Sequence, residues 1–192
     1  MDIDVEELDV RAFAYGVARA NKLLPGLTLP CTLHVWPSPN ATEALESLNR
    51  RKTDSLCFHL SEWVKADFLS RRSRTVNPEN VGLILTPNDV LPECFLDQYR
   101  PSRLVILTIP IGSRGLKPAS DAFQFTLCMA SAALHASRPV PIEFDGGVRE
   151  ETVDAILALP VDEIVAGAYA FGQSPTKNHL TQFLQRENAV RL

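Results

Sequence analysis

Short apolar runs alternate with longer amphipathic segments along the whole chain. Strands are predicted at residues 3–5, 31–36, 55–60, 81–85, 104–109 and 140–144, and in the run that ends at Gly167. Helices are predicted at residues 9–24, 40–51, 61–73, 90–99 and 121–136, after Arg149, and from Ser174. Nearly all-apolar strands that alternate with helices are typical of a parallel sheet buried on both faces. The sequence therefore predicts an α/β fold with about seven βα units.

Length and composition narrow the class of protein. The chain has 192 residues, is 45% hydrophobic and carries a formal net charge of −4, which suits one α/β domain over residues 1–192. It is a little short for a full eight-fold barrel. The mild acidity argues against a nucleic-acid partner, and no apolar run approaches the length of a membrane span. Four widely spaced cysteines without a CxxC pair indicate free thiols, so we expect a cytoplasmic protein.

The run Val-Pro-Ile-Glu-Phe-Asp-Gly-Gly-Val at residues 140–148 has the most specific chemistry. A buried strand ends in the carboxylate of Asp145, turns on Gly146 and Gly147, and enters a helix. Glycines permit close backbone approach, and N–H groups near a helix start suit a phosphate. Asp145 falls at the carboxyl end of a strand, where parallel α/β folds place their chemistry. Alternatively, Asp145 merely caps the turn, since lone Asp-Gly-Gly triplets are common.

A second run, at residues 162–172, follows about twenty residues later and breaks at Gly167. Together the two runs resemble the last two βα units of ribulose-phosphate 3-epimerases. The resemblance implies a TIM-barrel-like fold of the ribulose-phosphate-binding type, here incomplete or open. It also implies that the backbones of Gly146, Gly147, Gly167 and Ala168 hold a substrate phosphate. Asp145 would then be a metal ligand and an acid/base group.

The rest of the chain can be placed along the same family from its second strand onward. Asp2-Ile3-Asp4 stands where the family has a His-x-Asp pair, and His34 falls in the third strand. The glycine loop after the sixth strand keeps Gly112 and Gly115, and Gly112 is a further candidate for phosphate binding. The family's first strand is absent, and an aspartate, Asp2, replaces a metal-binding histidine.

Epimerisation beside a ketone needs two acid/base groups, one on each face of a planar enediolate, and a positive centre for the oxyanion. The resemblance assigns the two groups to Asp4 and Asp145, and a divalent metal (zinc, iron or manganese) to Asp4, His34 and Asp145. Each residue has an alternative interpretation. His34 can be a satisfied core histidine, and Asp4 can belong to a solvated N-terminal charge cluster.

The function that the resemblance implies is an isomerase of carbohydrate metabolism. It would be a metal-dependent epimerase of a ketopentose phosphate, of the ribulose 5-phosphate to xylulose 5-phosphate type. The alternative is a catalytically inactive relative that binds a phosphosugar or serves in an assembly, and a third is another phosphate-binding barrel enzyme. Deletion of a barrel strand leaves two edges, near Ile3 and Ile164, so we also predict a homodimer.

Overall fold

Parallel strands alternate with helices in the part of the chain that the structure describes, which confirms the α/β class. The structure is a computed structural model that describes residues 2–4, 32–35, 55–63, 81–110, 113, 115–171 and 179–190. The strands are β1 (Asp2–Asp4), β2 (Thr32–Val35), β3 (Ser55–His59), β4 (Val81–Leu85), β5 (Leu104–Leu107), β6 (Ile142–Asp145) and β7 (Glu163–Val165). The helices are α1 (Leu60–Trp63), α2 (Phe95–Tyr99), α3 (Ala122–His135), α4 (Val153–Leu157), α5 (Gly167–Phe171) and α6 (His179–Val190).

The chain divides into two compact units. The first comprises Met1–Ile84 and Pro101–Arg103, and the second comprises Leu85–Arg100 and Leu104–Leu192. The prediction of one domain over residues 1–192 stays a prediction.

The first unit contains the parallel strands β1 to β3 and most of β4. β1 pairs with β2, β2 with β3, and β3 with β4. Cys57, Phe58, Leu83 and Ile84 are almost completely buried, as expected where a parallel sheet is covered on both faces. The short segment Pro101–Arg103 continues this pairing, because the amide of Leu83 donates to the carbonyl oxygen of Arg103 at 2.9 Å.

The second unit is built on β5, β6 and β7, with β6 in the middle. Leu107 is the register partner of Asp145, and Asp145 that of Val165, so the carboxyl ends of the three strands coincide. The core on one face of this sheet consists of Phe144, Val148, Val153, Ile156 and Tyr169, with partly buried side chains around them. The sheet and its core therefore fix where the turns after β6 and β7 begin.

Helix α3 buries a different stripe from the one that the apolar pattern predicts. The pattern Phe123, Leu127, Ala130, Leu134 describes an apolar face. In the structure Leu127 and Leu134 are 44% and 76% exposed. The buried residues of α3 are Ala122, Thr126 and Ala133. Phe123, from the predicted face, nevertheless packs against Phe144 with ring centroids 6.0 Å apart, so the predicted face is correct only at the start of the helix.

Helix α2 is shorter than predicted, since it begins at Phe95 and not at Val90. Residues 86–89 form a turn in which Asp89 accepts hydrogen bonds from the amide and the hydroxyl of Thr86, both at 2.7 Å. Pro92 follows three residues after Asp89, and proline is unsuited to a helix interior. The predicted helices at residues 9–24 and 40–51, and Ser174 at the start of the last helix, lie outside the described residues.

Two predictions about chemistry and environment can be compared with this fold. Of the cysteines, Cys57, Cys94 and Cys128 are free thiols, as predicted, and Cys31 lies outside the described residues. Within the described ranges, every helix is too short or too polar to cross a membrane.

Candidate functional site

The turn after β6 is held by two threonine hydroxyls. Thr108, directly after β5, is buried, and its single hydroxyl proton is shared between the carbonyl oxygens of Asp145 at 2.9 Å and Gly146 at 3.1 Å. Its amide also donates to the Asp145 carbonyl at 2.9 Å. On the other side of the turn, Thr152 Oγ1 donates to the Gly147 carbonyl at 2.8 Å. Three consecutive carbonyl groups are therefore bonded within the protein.

These bonds determine where the N–H groups of the turn point. In a planar trans peptide the C=O and N–H bonds point in opposite directions. Because the carbonyls of Asp145 and Gly146 point to Thr108, the amides of Gly146 and Gly147 point away from β5. β7 lies on that side of β6. The Gly146 amide thus faces β7, where the pairing of Asp145 with Val165 makes the Val165 carbonyl its acceptor in the sheet. The Gly147 amide points away from the Thr108 hydroxyl.

Gly146 and Gly147 are required by the fold itself. Both have positive φ angles, 96° and 72°, which favour glycine. A Cβ atom on Gly146 would lie 2.6 Å from Ile109 Cγ1, and one on Gly147 would lie 2.6 Å from Pro118 Cδ. The sequence pattern attributes these glycines to close approach of a ligand. In the structure the loop that follows β5 occupies the space beside both.

That loop is also bonded to the start of the next segment. Arg149 donates from its guanidinium to the carbonyl oxygen of Gly115 at 2.9 Å, and from its amide to Thr152 Oγ1 at 3.0 Å. The amide of Ala119 donates to the carbonyl oxygen of Thr108 at 2.8 Å. The β5–α3 loop and the turn after β6 therefore form one interlocked structure.

The turn after β7 is open. Gly167 is the first residue of α5, and both Gly167 and Ala168 are exposed. A Cβ atom on Gly167 would have no heavy atom of the described residues within 4 Å, and the backbone there lies outside the left-handed region. Nothing in the fold thus requires glycine at this position, in contrast to Gly146 and Gly147.

Asp145 ends β6 beside these amides. The strand residues before it, Ile142, Glu143 and Phe144, are buried, whereas Asp145 is partly exposed. The structure therefore brings together Asp145, Gly146 and Gly147 with the neighbouring turn at Gly167 and Ala168, within the second unit. Gly112, the remaining candidate for phosphate binding, lies outside the described residues.

Asp4 and His34 belong to the first unit. They are register partners at the carboxyl ends of β1 and β2, and His34 is only 2% exposed. Their convergence with Asp145 on a metal stays a prediction. Among the residues that the structure describes, no three His, Cys, Asp or Glu residues are grouped so that they could hold a metal ion.

A polar bridge that the sequence pattern does not reveal links the segments after the two turns. The hydroxyl of Tyr169 donates to Glu150 Oε2 at 2.9 Å, and Arg186 donates from Nη2 to Glu150 Oε1 at 2.5 Å. Burial and the hydrogen bond to Glu150 raise the pKa of Tyr169 above its ordinary value. The three side chains come from positions up to 36 residues apart, so local motifs give no signal for them.

Comparison with known proteins leaves the family open. The sequence matches no protein-family model and no curated protein. The likeness to ribulose-phosphate 3-epimerases therefore rests on the residues of the two turns.

Proposed function

We propose that the second unit binds a phosphorylated sugar at the carboxyl ends of β6 and β7. The observation that carries this proposal is the direction of the Gly147 amide, which points away from the Thr108 hydroxyl at the carboxyl end of β6. Backbone N–H groups at turns and near helix starts are common donors to phosphate oxygens. The open space at Gly167 supports the same location. Since the donors are backbone groups, alanine at position 168 is compatible with binding.

The proposed fold type follows from the same elements. Parallel strands that alternate with helices, and two consecutive glycine turns, support a ribulose-phosphate-binding barrel that is open or incomplete. The phosphate would be held at the end of the strands where such barrels carry their active sites.

The proposed reaction is epimerisation or isomerisation of a ketopentose phosphate. Asp145 would take a proton from the carbon beside the substrate's ketone, which leaves an enediolate, and the bound phosphate would orient that carbon. Epimerisation also needs an acid on the opposite face of the enediolate, and the resemblance names Asp4 for it. A bound divalent metal would stabilise the oxyanion by Lewis-acid chemistry. The described residues present no group of ligands for such a metal.

The binding test uses the open glycine. Gly167→Val should leave the fold intact, because the Cβ meets empty space, but its side chain should crowd a phosphate. We expect ribulose 5-phosphate and inorganic phosphate to bind the wild-type protein in calorimetry, and Gly167→Val to weaken both by about tenfold or more. Ala158→Val, at an exposed position after α4, is the control and should bind normally. Equal phosphate affinity in Gly167→Val and the wild type would refute the proposed location of the binding site.

The reaction test separates catalysis from binding. Wild-type protein should exchange the substrate's carbon-bound proton next to the ketone with deuterated solvent, followed by NMR. Asp145→Asn should keep phosphate affinity, because the amides are unchanged, and should lose the exchange. Binding by the wild type without any exchange, with and without added divalent metal, would contradict the epimerase proposal and favour the alternative of a non-catalytic phosphosugar-binding subunit.

A further inference from the structure

The two glycine turns are followed at short distance by residues that bond to each other. Glu150 lies three residues after Gly147, and Tyr169 lies two residues after Gly167. The hydrogen bond from Tyr169 to Glu150 is 2.9 Å long and joins residues that are 19 apart in the sequence. We call Tyr169, Glu150 and Arg186 the bridge. It is a direct polar link between the side chains of the segment after β6 and those of the segment after β7.

Two side chains of helix α6, Arg186 and Phe183, contact the bridge residues. Arg186 bonds to the second oxygen of Glu150 at 2.5 Å, and its Nη1 lies 3.6 Å from Asp154 Oδ1. Phe183, about one turn earlier on α6, packs edge-on against the Tyr169 ring, and the two ring centroids lie 6.2 Å apart. The carboxylate of Glu150 therefore has one oxygen fixed by α5 and the other by α6.

The burial of Tyr169 indicates that the bridge positions the backbone of the two turns. Tyr169 is 7% exposed and is part of the core with Phe144 and Val148. The Glu150 side chain is 59% exposed, and exposed ion pairs contribute little to stability. Its bond to a fixed, buried tyrosine nevertheless restricts where the chain after Gly147 can lie. A phosphate held by amides from both turns requires those turns at a set separation, within a few tenths of an ångström.

We propose that Tyr169 is a positioning residue whose hydrogen bond to Glu150, braced by Arg186, sets the separation of the Gly146–Gly147 and Gly167–Ala168 turns. This inference rests on the proposed phosphosugar site and adds how that site is kept in shape. Tyr169 does not contact the ligand; it acts through the backbone of the two turns.

The test removes only the hydroxyl. In Tyr169→Phe the ring keeps its place in the core, so the urea midpoint should change little. Hydrogen exchange of the amides at residues 146–148 and 166–168 should become faster, and affinity for inorganic phosphate should fall about fivefold. Glu150→Gln keeps an oxygen acceptor for Tyr169, so it should retain most of the slow hydrogen exchange and most of the phosphate affinity. Glu150→Ala removes the acceptor and should resemble Tyr169→Phe. Asp154→Asn removes the other carboxylate near Arg186 and serves as the control.

The outcomes distinguish this inference from the proposed function. A wild-type protein that binds neither inorganic phosphate nor ribulose 5-phosphate would refute the proposed function, and hydrogen exchange would still test the bridge. Unchanged exchange at both turns in Tyr169→Phe would overturn the inference whatever binds. Faster exchange with unchanged phosphate affinity would also overturn it, because the bridge would then not set the geometry of the site.

Discussion

Four glycines near the candidate site lie in three different environments. Gly146 and Gly147 combine a positive φ with a neighbour in the place of a Cβ atom. Gly115 has a positive φ of 64° but open space, and Gly167 has open space and no positive φ. The backbone conformation and the packing therefore make separable contributions to the need for glycine.

Alanine at each of these positions should reveal the two contributions in the free energy of unfolding. We expect Gly146→Ala and Gly147→Ala to destabilise the protein by about 1 to 3 kcal/mol each, since strain and overlap act together. Gly115→Ala should cost about 1 kcal/mol, from φ alone. Gly167→Ala should be neutral or stabilise by up to about 1 kcal/mol, because alanine loses less backbone entropy. Urea denaturation measures all four, and a large loss in Gly167→Ala would contradict the open environment.

The residues of the site differ in how far the sequence reveals them. Asp145, Gly146 and Gly147 form a local signal, because a strand end, an acid and a turn are adjacent. Thr108 holds the same turn from 37 residues away, and a threonine at a strand end is ordinary in sequence. Tyr169 likewise gives no signal until its distance to Glu150 is known. The local turn was therefore predictable, while the side chains that fix its geometry were not.

At the scale of elements, strands were easier to predict than helix faces. A strand buried on both faces is a continuous apolar run, as in Val81–Leu85, where all five residues are buried. A helix face is defined by its neighbours, and α3 buries Ala122, Thr126 and Ala133 while exposing Leu134. The start of α2 was missed because the turn at Thr86 and Asp89 depends on a side-chain hydrogen bond.

Helices α2 and α3 are connected by a carboxylate whose charge should make stability depend on pH. Asp97 Oδ1 accepts a hydrogen bond from the Ser137 amide at 2.6 Å. The Ser137 N–H, the Ser137 side chain and the charge of Arg100 lower the pKa of Asp97 below its ordinary value. A folded-state pKa below the unfolded one gives stability that is present above the unfolded pKa. That stability is lost as the pH falls through the folded pKa.

Asp97→Asn should therefore be less stable than the wild type at neutral pH, and the difference should vanish in acid. Urea denaturation across the acid range measures it. Ser137→Ala keeps the N–H donor, so in that background Asp97→Asn should still cost most of its stability. Ser137→Pro removes the donor, and the cost of Asp97→Asn should then fall to the small part that comes from the charge of Arg100. A difference that persisted below the folded-state pKa would show that the charge of Asp97 is not its cause.

At the scale of the whole molecule, the predicted dimer depends on the edge of β7. β7 pairs with β6, and among the described strands of its unit none pairs along its other edge. The strand has only three residues, and its first residue, Glu163, is exposed and acidic. Short strands and charged side chains are ways in which proteins protect edges from pairing. The outer edge of β7 is thus available for pairing with a second copy, whereas the short length of the strand and the charge of Glu163 oppose such pairing.

A proline at one position of β7 can decide between these alternatives. Val165 is the register partner of Asp145, whose carbonyl faces β5. The Phe144 carbonyl and the Val165 amide therefore face each other, and the Ile164 amide faces outward. Proline is tolerated on the outward side of an edge strand, where it removes only that donor. If two copies pair through β7, the wild-type protein should sediment as a dimer at micromolar concentration and Ile164→Pro as a monomer. Ile164→Ala shortens the side chain but keeps the N–H, so it should remain dimeric. A monomeric wild type would refute the dimer, and a dimeric Ile164→Pro would place its interface elsewhere on the molecule.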